Sequence, residues 1–266
     1  MSANAYRIDR ASEEERSADR GRPGAAPSTN GAQVTPRHRW YLPLKTATDY
    51  VLAVSLLPFA LPVIGLAAVA IKLTSRGSVF YCQERLGKDG RPFTLIKLRT
   101  MVENAEAETG PVWARENDPR VTRVGRFLRE SHLDELPQLL NVLAGHLSLV
   151  GPRPERPEFV SRLEWKIPYY TQRTNIRPGI TGLAQLKLPP DSDTDSVRKK
   201  LAFDLYYLRY MTPWLDCRIL VATAWCFFRA TVRAFWRLIA LPDGDRVRER
   251  LVEILDQDDP TLLLRD

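Results

Sequence analysis

Histidine, cysteine and nucleotide-cradling glycine motifs are what this sequence has least of, and each scarcity removes a class of chemistry. Of three histidines, His38 lies in a polar stretch, and His132 and His146 have no serine or cysteine partner in an evident triad. Histidine-assisted nucleophilic catalysis therefore has little support. The three cysteines, Cys82, Cys217 and Cys226, are odd in number and lack C-x-x-C spacing. That argues against a disulfide framework and a zinc site, and it fits a reducing compartment. Neither a P-loop nor a dinucleotide-binding glycine fingerprint occurs, so a bound nucleotide would rest on arginines. There is no internal repeat, and the charged amino terminus does not read as a cleavable signal peptide. Large apolar residues are nearly missing from residues 1–39, which are rich in charge, Gly, Pro and Ser. Such a stretch cannot offset its ordering entropy, so a disordered tail is expected, with folding from about Trp40.

The rest of the chain is ordinary in apolar content, and its net charge of +7 calls for an anionic partner: nucleic acid, anionic lipid or a phosphorylated substrate. From Tyr50 to Ile71 the chain carries no charge, which is about the length that spans a bilayer. Pro58 and Pro62 fall in its middle, and each removes a backbone donor and bends a helix. Both flanks are basic, with Arg37, His38, Arg39 and Lys45 before and Lys72 and Arg76 after. Two basic flanks suit a helix-break-helix that enters and leaves one leaflet, with a proline-kinked crossing helix as the alternative. Near the carboxyl end, Arg218, Arg229, Arg233 and Arg237 form one stripe among Ile219, Leu220, Trp225, Phe227, Phe228, Phe235 and Trp236. This pattern suits an amphipathic helix in the headgroup layer or, alternatively, a helix packed on the protein's own core.

Residues 79–99 read as two strands around Lys88-Asp89-Gly90, with Lys97 and Arg99 alternating with Ile96 and Leu98 so that both cations share one face. Arg123, Arg126 and Arg129 recur every third residue and lead into "SHLDELPQLL". There Asp134 reads as an N-cap with Pro137 in the first turn, a position that also suits an anionic carboxylate beside a phosphate. Neighbouring helical residues point about 100° apart, so Asp134 and Glu135 are expected to divide two tasks: attack on phosphorus, and holding a divalent cation. "GPRPERP" locks Arg153 between Pro152 and Pro154, and "NIRPG" sets Arg177 before Pro178. An arginine held this way loses little entropy on binding phosphate; a rigid proline turn for peptide recognition is the alternative.

"FYCQERLG", "IKLRTM", "VTRVGRFLRESHLDELPQLLNVLAGHLSLVGPRPE" and "RPGITGLAQ", in this order, closely resemble the bacterial sugar transferases of the monotopic phosphoglycosyl transferase family, over about Lys45 to Trp225. The resemblance implies a membrane enzyme that moves a sugar 1-phosphate from a UDP-sugar to polyprenyl (undecaprenyl) phosphate and releases UMP. It implies that Asp134 attacks the sugar-bearing phosphate to form an aspartyl-phosphosugar, that Glu135 helps hold Mg2+, and that Lys97, Arg129, Arg153 and Arg177 contact phosphates or nucleotide. Arg99, Arg126, Pro152 and Pro154 are candidate substrate-binding residues beside them. It also implies the cytoplasmic face of the bacterial inner membrane, contact with membrane lipids, a role in exopolysaccharide, capsule or O-antigen synthesis, and no nucleic acid; a homodimer is left open. The short polar tail matches the family's minimal form. Two positions depart from the family pattern. Leu61-Pro62 stands where Ser-Pro is usual, and His146 stands where an acid is usual before Leu147-Ser148.

The expected architecture is mainly α-helical with a small β-hairpin, monotopic on a membrane through the re-entrant segment and interfacial amphipathic helices. Its expected parts are the tail 1–39, a re-entrant helix over 40–76, a catalytic domain over 77–215, an interfacial helix over 216–241 and a charged tail over 242–266. A silent membrane scaffold, which the His146 departure would allow, and a basic anion-binding protein are the competing functions; the latter leaves the intact Asp-Glu pair beside Gly-Pro-Arg-Pro unexplained.

Overall fold

The computed structural model describes residues 33–107, 118–189, 191, 193–227 and 241–255. Helices dominate. The first, α1 (Tyr41–Thr74), is followed by the antiparallel strands β1 (Phe80–Leu86) and β2 (Pro92–Leu98). Then come α2 (Arg123–Glu130), α3 (Gln138–Leu143), β3 (Ser148–Val150), α4 (Pro157–Lys166), β4 (Gly179–Thr181) and α5 (Leu183–Lys187). The chain continues through α6 (Thr194–Tyr210), α7 (Pro213–Phe227) and α8 (Gly244–Leu255). The hairpin forms where expected, with Asp89 and Gly90 at positive φ in its turn. A second, parallel pair was not foreseen: Ser148 lies opposite Gly179 and Val150 opposite Thr181. Three-residue strands are too short to show an alternating pattern of their own.

The apolar helix α1 is long enough to cross a bilayer. Its buried residues, Tyr41, Lys45, Asp49, Ala53, Ala60, Ile64, Ala67 and Ile71, fall at helical spacing along one stripe. Its outward residues are mostly apolar and many are open, with Phe59 77% and Leu73 81% exposed, a surface that suits lipid. The expected break is not an interruption: the chain stays helical through Pro58 and Pro62. The physical reason is their placement. Spaced by four, they share one face, and that face is exposed. The ring clash and the lost donors then fall on the outer side, and the rest of the ladder continues through them.

Two expected boundaries move. Residues 33–37 belong to the folded part, because Val34 is buried and its amide donates to Gln172 Oε1 at 2.6 Å. The Thr35 carbonyl accepts from Arg209, and the Arg37 amide donates to the Arg209 carbonyl. Beyond residue 242 the chain is not simply a charged tail. Val247 and Leu251, four apart on α8, are both fully buried against α6. The charges around that pair masked its helical spacing. Of the interfacial helix expected over 216–241, only 216–227 and residue 241 are described, and Arg229, Arg233, Arg237, Phe228, Phe235 and Trp236 lie outside the described residues. In the described part, Ile219, Ala222 and Leu241 pack into the core.

What fastens α1 to the rest is a buried polar network. Asp216 on α7 accepts from Lys45 Nζ at 2.6 Å, Tyr41 Oη at 2.6 Å and Tyr207 Oη at 2.7 Å. Asp49, 3.9 Å from Lys45, accepts from Ser148 Oγ and from the Leu149 amide on β3. Lys45, counted as a flanking charge in the sequence, is therefore an internal one. Asp216→Ala is expected to destabilise the protein by about 3 kcal/mol, because it leaves Lys45 buried with only a distant partner. Chemical denaturation in detergent would measure this.

Candidate active site

The hairpin and α3 are brought into register by one side chain. Asn141 donates to the Thr94 carbonyl at 2.7 Å and accepts from the Ile96 amide at 3.1 Å, occupying the open edge of β2 as a further strand would. One residue beyond Ile96, Lys97 faces the turn that leads into α3. α2 is set by Gly125, where a Cβ would overlap the Thr100 carbonyl. One turn further on, Arg129 Nε donates to Thr100 Oγ1 at 2.8 Å.

Asp134 and Glu135 lie in a 3-10 turn, Leu133–Glu135, entered through His132 at a left-handed φ of 53°. This corrects the capping expectation. α3 begins only at Gln138, and Thr122 rather than an acid caps a helix here, that of α2. The two carboxylates do have different surroundings. Glu135 Oε1 accepts from Lys97 Nζ at 2.6 Å and from Arg153 Nη2 at 2.9 Å. Asp134 is buried and its carboxylate accepts no hydrogen bond among the described residues, although Lys97, Arg129 and Arg153 act on it through their charge.

The electrostatics follow from this placement. Burial pushes the Asp134 carboxyl above the ordinary aspartate value; Lys97 opposes the shift and Glu135 adds to it. Burial would also raise Glu135, but Arg153 and Lys97 together hold it well below the glutamate range. Lys97 is lowered by its own burial, then by Arg153. The result is one carboxylate locked as an anion and an unbonded one beside it that is open to a reacting atom.

Lys97, Arg129, Arg153, Asp134 and Glu135 thus come together, with Pro152 and Pro154 framing Arg153. Three predicted residues do not join them. Arg99 donates to the Arg76 carbonyl and to Ser75 Oγ, so it ties down the end of α1. Strand alternation ends at Leu98, and the loop beyond it sends Arg99 elsewhere than Lys97. Arg126 is exposed on α2. Arg177 reaches Thr46 Oγ1 on α1 at 3.3 Å. Its segment instead braces the Arg153 turn through backbone, since a Cβ on Gly179 would overlap the Gly151 amide. His146 lies against the Phe93 ring, at the other end of β2 from Lys97. The sequence reading missed Asn141, Arg85 and Arg173; the first two stand inside the family-like stretches, but nothing in those stretches shows that they hold backbone carbonyls.

No group of three or more His, Cys, Asp or Glu side chains is placed to hold a metal among the described residues. The site nevertheless fits Mg2+, which is commonly held by one or two carboxylates with substrate phosphates and water. Asp134 and the second oxygen of Glu135 accept no hydrogen bond among the described residues.

A buried Asp134 beside a half-buried Glu135, faced by a lysine and arginines in a chain that carries an exposed apolar helix, is an arrangement suited to phosphates. The comparisons agree: residues 40–230 match the family described as "Bacterial sugar transferase", and the chain belongs to that family. It is 42% identical over 183 residues to the UDP-N-acetylgalactosamine-undecaprenyl-phosphate N-acetylgalactosaminephosphotransferase of Aeromonas hydrophila, covering 69% of this chain and 43% of that protein. It is 43% identical over 184 residues to the UDP-glucose:undecaprenyl-phosphate glucose-1-phosphate transferase of Escherichia coli (strain K12), covering 68% and 39%. Over 187 residues it is 39% identical to the exopolysaccharide production protein PSS of Rhizobium leguminosarum bv. phaseoli, covering 68% and 94%. The match thus spans about two fifths of the length of the first two relatives.

Proposed function

We propose that this protein transfers a sugar 1-phosphate from a UDP-sugar to undecaprenyl or a similar polyprenyl phosphate, releasing UMP, as the first membrane step of a polysaccharide. The observation that carries the reading is the unbonded, buried Asp134 beside a Glu135 held by Lys97 and Arg153. An Asp134 oxygen attacks the sugar-bearing phosphorus as its bond to the UMP oxygen breaks, and UMP leaves with that electron pair. A polyprenyl phosphate oxygen then attacks the same phosphorus, and the Asp134–phosphorus bond breaks to restore the carboxylate. Lys97, Arg129 and Arg153 supply the positive charge that the transferring phosphoryl needs. Glu135 would hold Mg2+, which when bound neutralises diphosphate charge. Splitting the transfer lets a soluble donor and a lipid acceptor use one site in turn.

In the same reading α1 enters and leaves the cytoplasmic leaflet of the inner membrane. The support is its buried stripe at both ends, its outward prolines and its basic flanks. The relatives' names specify different sugars, glucose and N-acetylgalactosamine. The test is nucleotide release from purified protein in nanodiscs with Mg2+, polyprenyl phosphate and a panel of UDP-sugars. UMP is expected with one donor; UDP would mean plain sugar transfer and overturn the mechanism.

A further inference from the structure

Two arginines outside the reacting cluster hold the turn that carries Arg153. Four consecutive carbonyls there each accept a hydrogen bond from a distant part of the chain. The Pro152 carbonyl accepts from the Gly179 amide at 2.8 Å and the Arg153 carbonyl from Arg173 Nη2 at 3.1 Å. The Pro154 carbonyl accepts from Arg85 Nη1 at 3.2 Å and the Glu155 carbonyl from the Leu86 amide at 2.9 Å. The Glu155 carboxylate lies between both arginines, 3.6 Å from Arg173 and 3.9 Å from Arg85. Proline brings no amide donor, so a Pro-Arg-Pro turn cannot satisfy its carbonyls locally and must borrow donors.

Arg173 is the centre of this arrangement. It is buried, pairs with Asp204 on α6 at 2.7 Å, donates to Tyr170 Oη at 3.1 Å and lies over that ring. Burying an arginine–carboxylate pair is weak as a source of stability, and apolar side chains of like volume often do as well. What the guanidinium adds is a planar fork that donates to the Arg153 carbonyl through Nη2 and to the Tyr170 hydroxyl through Nη1 while it pairs by charge with Asp204. The Arg153 side chain is 42% exposed, so the direction it takes depends on its backbone and on Glu135.

We propose that Arg173, with Arg85, is a positioning residue that sets the backbone of Arg153 and so aims its guanidinium at Glu135 and at the phosphates of the donor. This rests on the reading that Arg153 contacts those phosphates. The clasp itself touches no substrate.

The experiment compares UMP release and melting temperature for the full chain in nanodiscs as Arg173→Met, Arg153→Gln, the pair together, and Arg173→Met with Asp204→Leu. Displacing a phosphate-binding group by about an ångström lowers kcat roughly 10²-fold, and each single variant is expected to show a loss of that order. If Arg173 acts through Arg153, the two losses do not multiply, and the pair is within about twofold of Arg153→Gln alone. Asp204→Leu is expected to restore the melting temperature of Arg173→Met without restoring kcat. Should Arg173→Met fail to fold, Arg173→Lys, which keeps the charge but not the fork, takes its place in the same cycle. Losses that multiply, or turnover that returns together with the melting temperature, would make Arg173 merely structural and end the proposal. Full turnover in Arg153→Gln would instead strike the phosphate role of Arg153 and leave the clasp without a purpose. The two failures are therefore distinguishable.

Discussion

Asp134→Asn is expected to lower UMP release by about 10⁴-fold or more, the scale seen when a nucleophile that acts with its neighbours is lost. The same change is expected to raise the melting temperature. Asp134 is buried with no hydrogen bond to its carboxylate, and burial raises its pKa above the usual 3.8. A carboxyl raised by folding contributes stability below its unfolded pKa and loses it as pH rises through the folded value. At neutral pH the ionised form therefore works against folding, and a neutral amide of the same shape relieves that strain. Attack requires the anion, so the acid limb of the wild-type pH–rate profile should lie above an ordinary aspartate's. A variant that is less stable as well as inactive would mean that Asp134 serves the fold rather than the reaction.

Glu135→Gln is expected to go the other way in stability. Its carboxylate joins Lys97 and Arg153, and removing the charge leaves those cations repelling each other in a partly dry site. The Lys97 pair is largely buried and the Arg153 side chain is partly exposed, so the loss is about 2 kcal/mol. A depressed glutamate contributes stability above its unfolded value, here 4.5, and loses it as pH falls toward the folded one. The difference between wild type and Glu135→Gln should thus be full at neutral pH and narrow below about pH 4.5. Turnover should fall roughly 10²-fold or more through misplacement of Lys97 and Arg153. Denaturation in detergent at several pH values, alongside UMP release, measures both effects.

Much of this site was legible in the sequence, because it is written in adjacent residues. The Asp134-Glu135 pair, the proline-framed Arg153 and the Lys97 of a hairpin strand all stand within short motifs. Local geometry was less faithful. Arg99 shares the parity of Lys97 yet turns to Ser75, because the strand ends between them. Asp134 sits in a 3-10 turn rather than capping a helix, since a left-handed His132 intervenes.

By itself the sequence determined a long apolar helix with prolines in its middle, a hairpin closed by Asp89-Gly90, an acidic pair among cations and membership of a family. These rest on composition, periodicity and neighbouring residues, which a chain displays before it folds. Only the tertiary structure decided which charges are internal and which carbonyls are borrowed. Lys45 meets Asp216 across 171 positions, Arg209 meets Thr35 across 174, and the Arg153 turn takes its donors from both sides of the chain. The reason is physical: a buried charge or carbonyl must find a partner wherever packing supplies one. Nothing local in the chain records that choice.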